Sequence, residues 1–166
     1  VYAKKGDSNR YELPKPILYK GGCNLSFAGL KTAVLKITKE VKTEQDKYDL
    51  AASFQKTVEE ILYQKSKVAF KEFKNFNNNI GNTFVVAGGV AANKKIREVL
   101  KNLCKEEKFN AIFPPINLCG DNAAMIAMVG LEKFKLNQFN ELDHPANPRW
   151  PLDKNAIFLK GSGVRL

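Results

Sequence analysis

Apolar residues recur along this chain in two rhythms: helical spacings of three and four, and short unbroken runs. Leu30, Ala33, Val34 and Ile37 follow the helical spacing and predict a helix from about Leu30 to Val41. Leu50, Phe54, Val58, Ile61 and Leu62 form one apolar stripe and predict the longest helix, with Glu59, Glu60 and Lys65 elsewhere on its surface. Thr43 followed by Asp46 reads as a capping pair at its start. Its end is expected before Asn77-Asn78-Asn79, because asparagine side chains compete with the helix for backbone hydrogen bonds. Ile96, Val99, Leu100, Leu103 and Cys104 predict a third helix starting near Asn93. A fourth opens after Asp121 and runs through Ala123, Ala124, Ile126, Ala127, Gly130 and Leu131.

The unbroken runs predict strands. Thr83 to Ala87 is short, rich in β-branched residues and bounded by Asn82 and Gly88, as a buried strand would be. Asn110 to Phe113 predicts another strand, stopped by Pro114-Pro115. Asn24 to Phe27 reads as a short strand, and Ala156 to Leu159 as an edge strand. Val1 to Gly22 reads as irregular connection, with Val1 to Lys5 as the frayed end of a helix. Strands alternating with helices argue for an α/β fold with parallel neighbours.

Composition narrows the class. The 166 residues suit one domain or one lobe, and 44% hydrophobic with 27% charged is a globular balance. No apolar stretch approaches the roughly 20 residues that span a bilayer, and no secretory leader is read at Val1 to Asp7. Cys23, Cys104 and Cys119 are odd in number and widely spaced, which disfavours disulfides and a cysteine zinc site. A reducing, cytoplasmic setting is expected. The net charge of +10 fits contact with nucleic acid and fits a solvated lysine-rich surface equally well.

Three segments carry candidate chemistry. In Val85-Val86-Ala87-Gly88-Gly89-Val90-Ala91-Ala92-Asn93, a strand runs into two glycines and then a helix. Glycine lets backbone approach a ligand, and a helix N-terminus offers N–H groups and positive dipole charge. Ligands of open α/β sheets sit at such strand ends. Asn93 either caps the helix or bonds a nucleotide hydroxyl; a structural turn with a cap is the stronger reading of this segment taken alone. In Cys119-Gly120-Asp121-Asn122-Ala123-Ala124-Met125-Ile126-Ala127, Asp121 either caps a helix or serves metal or phosphate chemistry. Here too the cap is favoured in isolation. Leu25-Ser26-Phe27-Ala28-Gly29-Leu30-Lys31-Thr32 has no catalytic spacing of its own.

In this order, and with Pro148-Arg149-Trp150-Pro151-Leu152 at the end, these segments resemble the C-terminal part of the tRNA N6-adenosine threonylcarbamoyltransferase family. The resemblance runs from about Gly6 to Leu152. It implies a partial C-terminal lobe of the actin-like ATPase, ribonuclease H-like fold, helix-rich with a short, mainly parallel sheet. Residues 1–152 would be the lobe fragment, and residues 153–166 an unassigned tail. It implies transfer of a threonylcarbamoyl group from threonylcarbamoyl-adenylate to N6 of the adenosine beside the anticodon, in tRNAs reading ANN codons. A divalent metal ion, iron or zinc, would lie between two lobes. Asn93 would line the nucleotide site, Gly88 and Gly89 would form the close-approach turn, and Asp121 would be a metal ligand. Implied partners are tRNA, the N-terminal half of the enzyme and accessory subunits of the pathway, without a membrane.

The departures are as informative. The family's other metal ligands form an H-x-x-x-H pair, whereas this chain has one histidine, His144. One carboxylate cannot hold a metal that needs several ligands. The N-terminal phosphate-contacting segment is absent, as are the S-G-G-H segment and the substrate-binding aspartate beyond it. Ala28 stands where a serine is common, and Gly120 where a threonine is common. The chain opens on Val1 and reads as a piece of a longer polypeptide, supplying half of a site. An unpaired sheet edge, and either a marginal fold or association with the other half, are expected. The competing reading is a non-catalytic fragment or interaction module of the same family. A metalloprotease lacks support because no H-E-x-x-H is present. A kinase or chaperone lobe rests on fold analogy alone, and a plain RNA-binding module on charge alone.

Overall fold

A computed structural model describes residues 1–76, 80–143 and 145–146. The regular elements are α1 (Ala28–Ile37), α2 (Glu44–Phe76), β1 (Thr83–Val85), α3 (Lys94–Glu106), β2 (Asn110–Ile112) and α4 (Ala123–Lys135). One compact unit spans Val1–Asn122, and a second begins at Ala123. The expected α/β class, helix-rich with a short parallel sheet, is what the chain adopts: β1 and β2 pair in parallel, Thr83 opposite Asn110 and Val85 opposite Ile112.

Helix α2 is the spine of the first unit. Its start is a reciprocal cap: Asp46 N–H donates to Thr43 Oγ1 at 3.1 Å, and Thr43 N–H donates to Asp46 Oδ2 at 2.9 Å. Hydrogen bonds to the carboxylate from Thr43, backbone first and then side chain, and from Lys42 N–H hold the Asp46 carboxyl below its ordinary value. One side of α2 packs Ile61 against Leu13 and Leu30, with Ala33, Val34 and Ile37 of α1 around them. The other side packs Phe70 against Ile96, Leu100, Leu103 and Cys104 of α3 and against Phe109. Phe70 and Phe109 stack with centroids 4.0 Å apart, and Phe84 meets Phe70 edge-on at 4.8 Å.

A second row on α2 was not legible as a stripe. Asp49, Ser53, Thr57, Ile61 and Lys65 recur at every fourth position and are all buried. Asp49, Ser53 and Lys65 hold the N-terminal segment to the helix, while Thr57 donates within α2 to the Ser53 carbonyl at 2.8 Å. Asp49 Oδ1 accepts from Asp7 N–H at 2.8 Å, and Ser53 Oγ accepts from Tyr11 N–H at 3.2 Å. Lys65 Nζ donates to the Lys20 and Gly22 carbonyls at 2.7 and 3.0 Å. Lys65, expected on the surface, is therefore buried, because two carbonyls replace its water. A Cβ on Gly6 would stand 2.0 Å from the Tyr48 carbonyl oxygen, so only glycine lets this segment lie on α2.

Several boundaries differ from expectation. Asn24 to Phe27 is not a strand, and α1 starts at Ala28 and ends at Ile37 rather than near Val41. Thr38 closes it by donating its hydroxyl to the Leu35 carbonyl at 2.8 Å. Tyr2–Lys4 is a single 3-10 turn. The strand expected to be buried at Thr83–Ala87 is three residues long and covered on one face only: Phe84 and Val86 pack on the core, while Thr83, Val85 and Ala87 are exposed. The reason is that α2 and α3 both lie under the same face of the sheet. The edge strand expected at Ala156–Leu159, His144, residues 147–152 of the lobe's end and the tail at 153–166 lie outside the described residues.

Candidate functional site

The site is built where β1 ends. Val86 N–H donates to the Ile112 carbonyl at 3.0 Å and is the last tie between the strands on this side. The chain then turns at Gly88, with φ 84° and ψ 175°. That region of backbone space is essentially reserved for glycine, so the turn depends on this residue. Gly89–Ala92 forms one 3-10 turn, closed by Ala91 N–H to the Gly88 carbonyl at 2.9 Å. A Cβ at Gly88 or Gly89 would meet nothing within 4 Å, so the space over this turn is open to a ligand.

Asn93 follows and caps α3. Its Oδ1 accepts from Lys95 N–H at 2.9 Å and from Ile96 N–H at 3.3 Å. The cap is thus what Asn93 does in this structure. It uses the oxygen alone, leaving the Nδ2 end outside the cap. Asn93 and Gly89 lie on the wall of an open cavity of about 870 Å³, which falls within the range of small-molecule sites. Val85, Val86, Val58 and Leu62 make most of its lining apolar, and Lys65 and Ser66 contribute polar atoms. Leu25 and Phe27, from the segment preceding α1, line it too. Lys31 and Thr32 stay on the exposed face of α1, where Thr32 donates its hydroxyl to the Ala28 carbonyl at 3.3 Å.

Asp121 is not on this cavity. It is exposed, in the loop that leaves β2. That loop passes Pro114-Pro115, makes a 3-10 turn at Ile116–Leu118 and buries Cys119 before Gly120 and Asp121. The Gly89–Ala92 and Ile116–Leu118 turns are in contact. The structure therefore brings the two turns into contact, with Gly89 and Asn93 on the cavity wall, Gly88 in the turn before them and Asp121 off the cavity. Among the described residues, no three His, Cys, Asp or Glu side chains come close enough to hold a metal ion together. Asp121 offers one carboxylate, which does not by itself fit a resident metal.

Cys23 and Cys104 are not poised as nucleophiles. Partial desolvation of an otherwise exposed side chain, then the hydrogen bond to Glu72 at 3.1 Å, pushes the Cys23 thiol above its ordinary value. Burial alone does so at Cys104. A thiol that holds its proton is a poor nucleophile. Sequence reasoning missed Arg97 and Lys65. Both are basic residues on amphipathic helices, where the pattern alone reads them as solvent-facing. No helix among the described residues is long and apolar enough to cross a membrane.

The family model described as tRNA N6-adenosine threonylcarbamoyltransferase matches residues 1–128. A protein of that name from Pelagibacter ubique (strain HTCC1062) is 81% identical over 166 residues, which is 100% of this chain and 46% of the relative. One from Rickettsia massiliae (strain Mtu5) is 45% identical over 154 residues, 91% of this chain and 45% of the relative. One from Rickettsia rickettsii (strain Sheila Smith) is 44% identical over the same shares. The chain spans about half the length of the curated relatives it matches.

Proposed function

Because the chain belongs to the tRNA N6-adenosine threonylcarbamoyltransferase family, whose fold is that of the actin-like ATPases, we propose that it supplies the C-terminal half of such a transferase site. The observation that carries this is the Gly88-Gly89 turn. It is open, confined to glycine at Gly88, and followed by Asn93 on the wall of a cavity large enough for a nucleotide.

In the proposed reaction the exocyclic N6 amine of the adenosine beside the anticodon attacks the carbamoyl carbon of threonylcarbamoyl-adenylate. The carbon–nitrogen bond forms and the bond from that carbon to the phosphate oxygen breaks. AMP leaves and the amine gives up one proton. The tRNAs would be those reading ANN codons. Gly88 and Gly89 let the adenylate approach the backbone, and the α3 N-terminus faces its negative charge. Asn93 keeps that terminus ordered through Oδ1 and presents Nδ2 as a donor to the nucleotide. Asp121 would provide one ligand to a divalent metal, iron or zinc. The remaining ligands would come from the N-terminal half, and the described residues carry no step through that ion. The charge of +10 suits contact with tRNA phosphates. Accessory subunits of the same pathway and a cytoplasmic location complete the reading.

The test is threonylcarbamoyl transfer to tRNA by the chain mixed with a family N-terminal half, threonylcarbamoyl-adenylate and iron or zinc. Transfer on mixing is expected, with a loss of roughly a hundredfold or more in Asp121→Ala, the scale at which a single essential electrostatic group acts. The second reading, a non-catalytic interaction module, is favoured by the lack of a three-residue metal cluster among the described residues. It would be established by a mixed complex that forms and transfers nothing.

A further inference from the structure

Arg97 lies on α3 one helical turn after Asn93 and is half-buried. Its Nε donates to the Ala91 carbonyl, at the end of the glycine turn. Its Nη2 donates to the Pro114 carbonyl at 2.7 Å and to Cys119 Sγ at 3.0 Å. The guanidinium centre stands 5.2 Å from the Phe113 ring centroid, within reach of a cation–π contact. Cys119 is 4% exposed, and its thiol also reaches the Pro115 carbonyl at 3.5 Å.

One side chain thus touches both loops that leave the carboxyl ends of β1 and β2. The loops themselves are lightly held. The glycine turn is closed by Ala91 N–H to Gly88 at 2.9 Å and Asn93 N–H to Val90 at 3.1 Å. The other loop is closed by Leu118 N–H to Pro115 at 2.9 Å and Cys119 N–H to Ile116 at 3.2 Å. Beyond Cys119, a Cβ on Gly120 would meet nothing within 4 Å, so the buried Cys119 is the last packed side chain before Asp121.

We propose that Arg97 is a positioning residue that sets the separation between the Gly88-Gly89 turn and the Asp121 loop. The inference rests on the reading above, in which both loops serve one reaction. Arginine suits the task because its planar fork offers several donors in fixed directions. Lysine keeps the charge but gathers its donors at one point, so it cannot hold acceptors on two loops in that geometry.

The test is residue-resolved amide hydrogen exchange on the full chain, comparing the native protein with Arg97→Lys and Cys119→Ala. In Arg97→Lys, exchange at Ala91, Asn93, Leu118 and Cys119 is expected to rise about tenfold, the scale of one lost charge-assisted hydrogen bond. Leu103 in the middle of α3 is expected to stay as it was. Cys119→Ala leaves the glycine turn untouched in sequence and is expected to loosen Ala91 and Asn93 through Arg97. Loosening of only one loop, no change at Ala91 and Asn93 in Cys119→Ala, or an equal rise at every amide including Leu103, would overturn the proposal. In the mixed transferase assay, Arg97→Lys is expected to lower kcat and leave KM for tRNA unchanged; a change confined to KM would count against it. If the exchange result holds while the mixed complex forms and transfers nothing, the link between the loops stands and the transferase reading falls.

Discussion

The two faces of the small sheet differ more in burial than in sequence. On one face Phe84, Val86, Ala111 and Phe113 pack on the core formed with α2 and α3. On the other, Val85 is 59% exposed and Ile112 is 45% exposed, flanked by Thr83 and Asn110. A sheet with one solvated face alternates apolar and polar residues, whereas parallel strands covered on both faces are apolar throughout. Thr83 to Ala87 belongs to the second type. Helix α4, described by itself, repeats the pattern. Ile126, Met128, Val129 and Leu131 are each about half exposed or more, and the helix has no buried residue. By contrast, α3 confines Ile96, Leu100, Leu103 and Cys104 to one buried face. A helix apolar on all sides has the composition of a buried one. The comparison teaches that the covered face is a finished core and the bare surfaces carry core sequence, which fits a chain half as long as its relatives.

Substitutions should separate these surfaces. Leu103→Ala removes a fully buried side chain from the finished core and is expected to cost about 2–5 kcal/mol in denaturant unfolding. Lys65→Met strips the Lys20 and Gly22 carbonyls of their donor, with an expected loss of about 1–3 kcal/mol by the same measurement. Asn93→Ala removes the α3 cap and is expected to cost about 1 kcal/mol. Val85→Thr on the bare face is expected to stay within about 0.5 kcal/mol in the chain alone, and a larger loss there would erase the contrast.

The smallest effect is electrostatic. The folded-state pKa of Asp46 is depressed by its bonds from Thr43 and Lys42. The stabilisation is therefore present above the unfolded carboxyl value, near about 4, and is lost as pH falls through the lower folded value. Helical circular dichroism followed through an acid titration is expected to show this loss, and Asp46→Asn to remove that component of the pH dependence.

The helices were legible in the sequence because their apolar spacing is set by the same core they build. α3 is the clearest instance, from its Asn93 cap to Cys104. The buried polar row on α2 was not legible, since Asp49, Ser53, Thr57 and Lys65 read as surface until the N-terminal segment is laid against them. At the site, the glycine turn followed from local backbone chemistry. The family role of Asp121 came from resemblance, and the structure places that residue in an exposed loop. Arg97 could not be found from spacing, because its acceptors, Ala91, Pro114 and Cys119, come from two separate loops.

On the proposed reading, this chain carries half of a core and half of a site. The direct measurement is its thermal unfolding alone and with a family N-terminal half, with a dye that reports exposed apolar surface. The account predicts a low, dye-binding transition for the chain alone. It predicts a higher, cooperative and concentration-dependent transition on mixing, as binding to the folded state requires. A sharp, dye-free, monomeric transition that the other half leaves unmoved would contradict it.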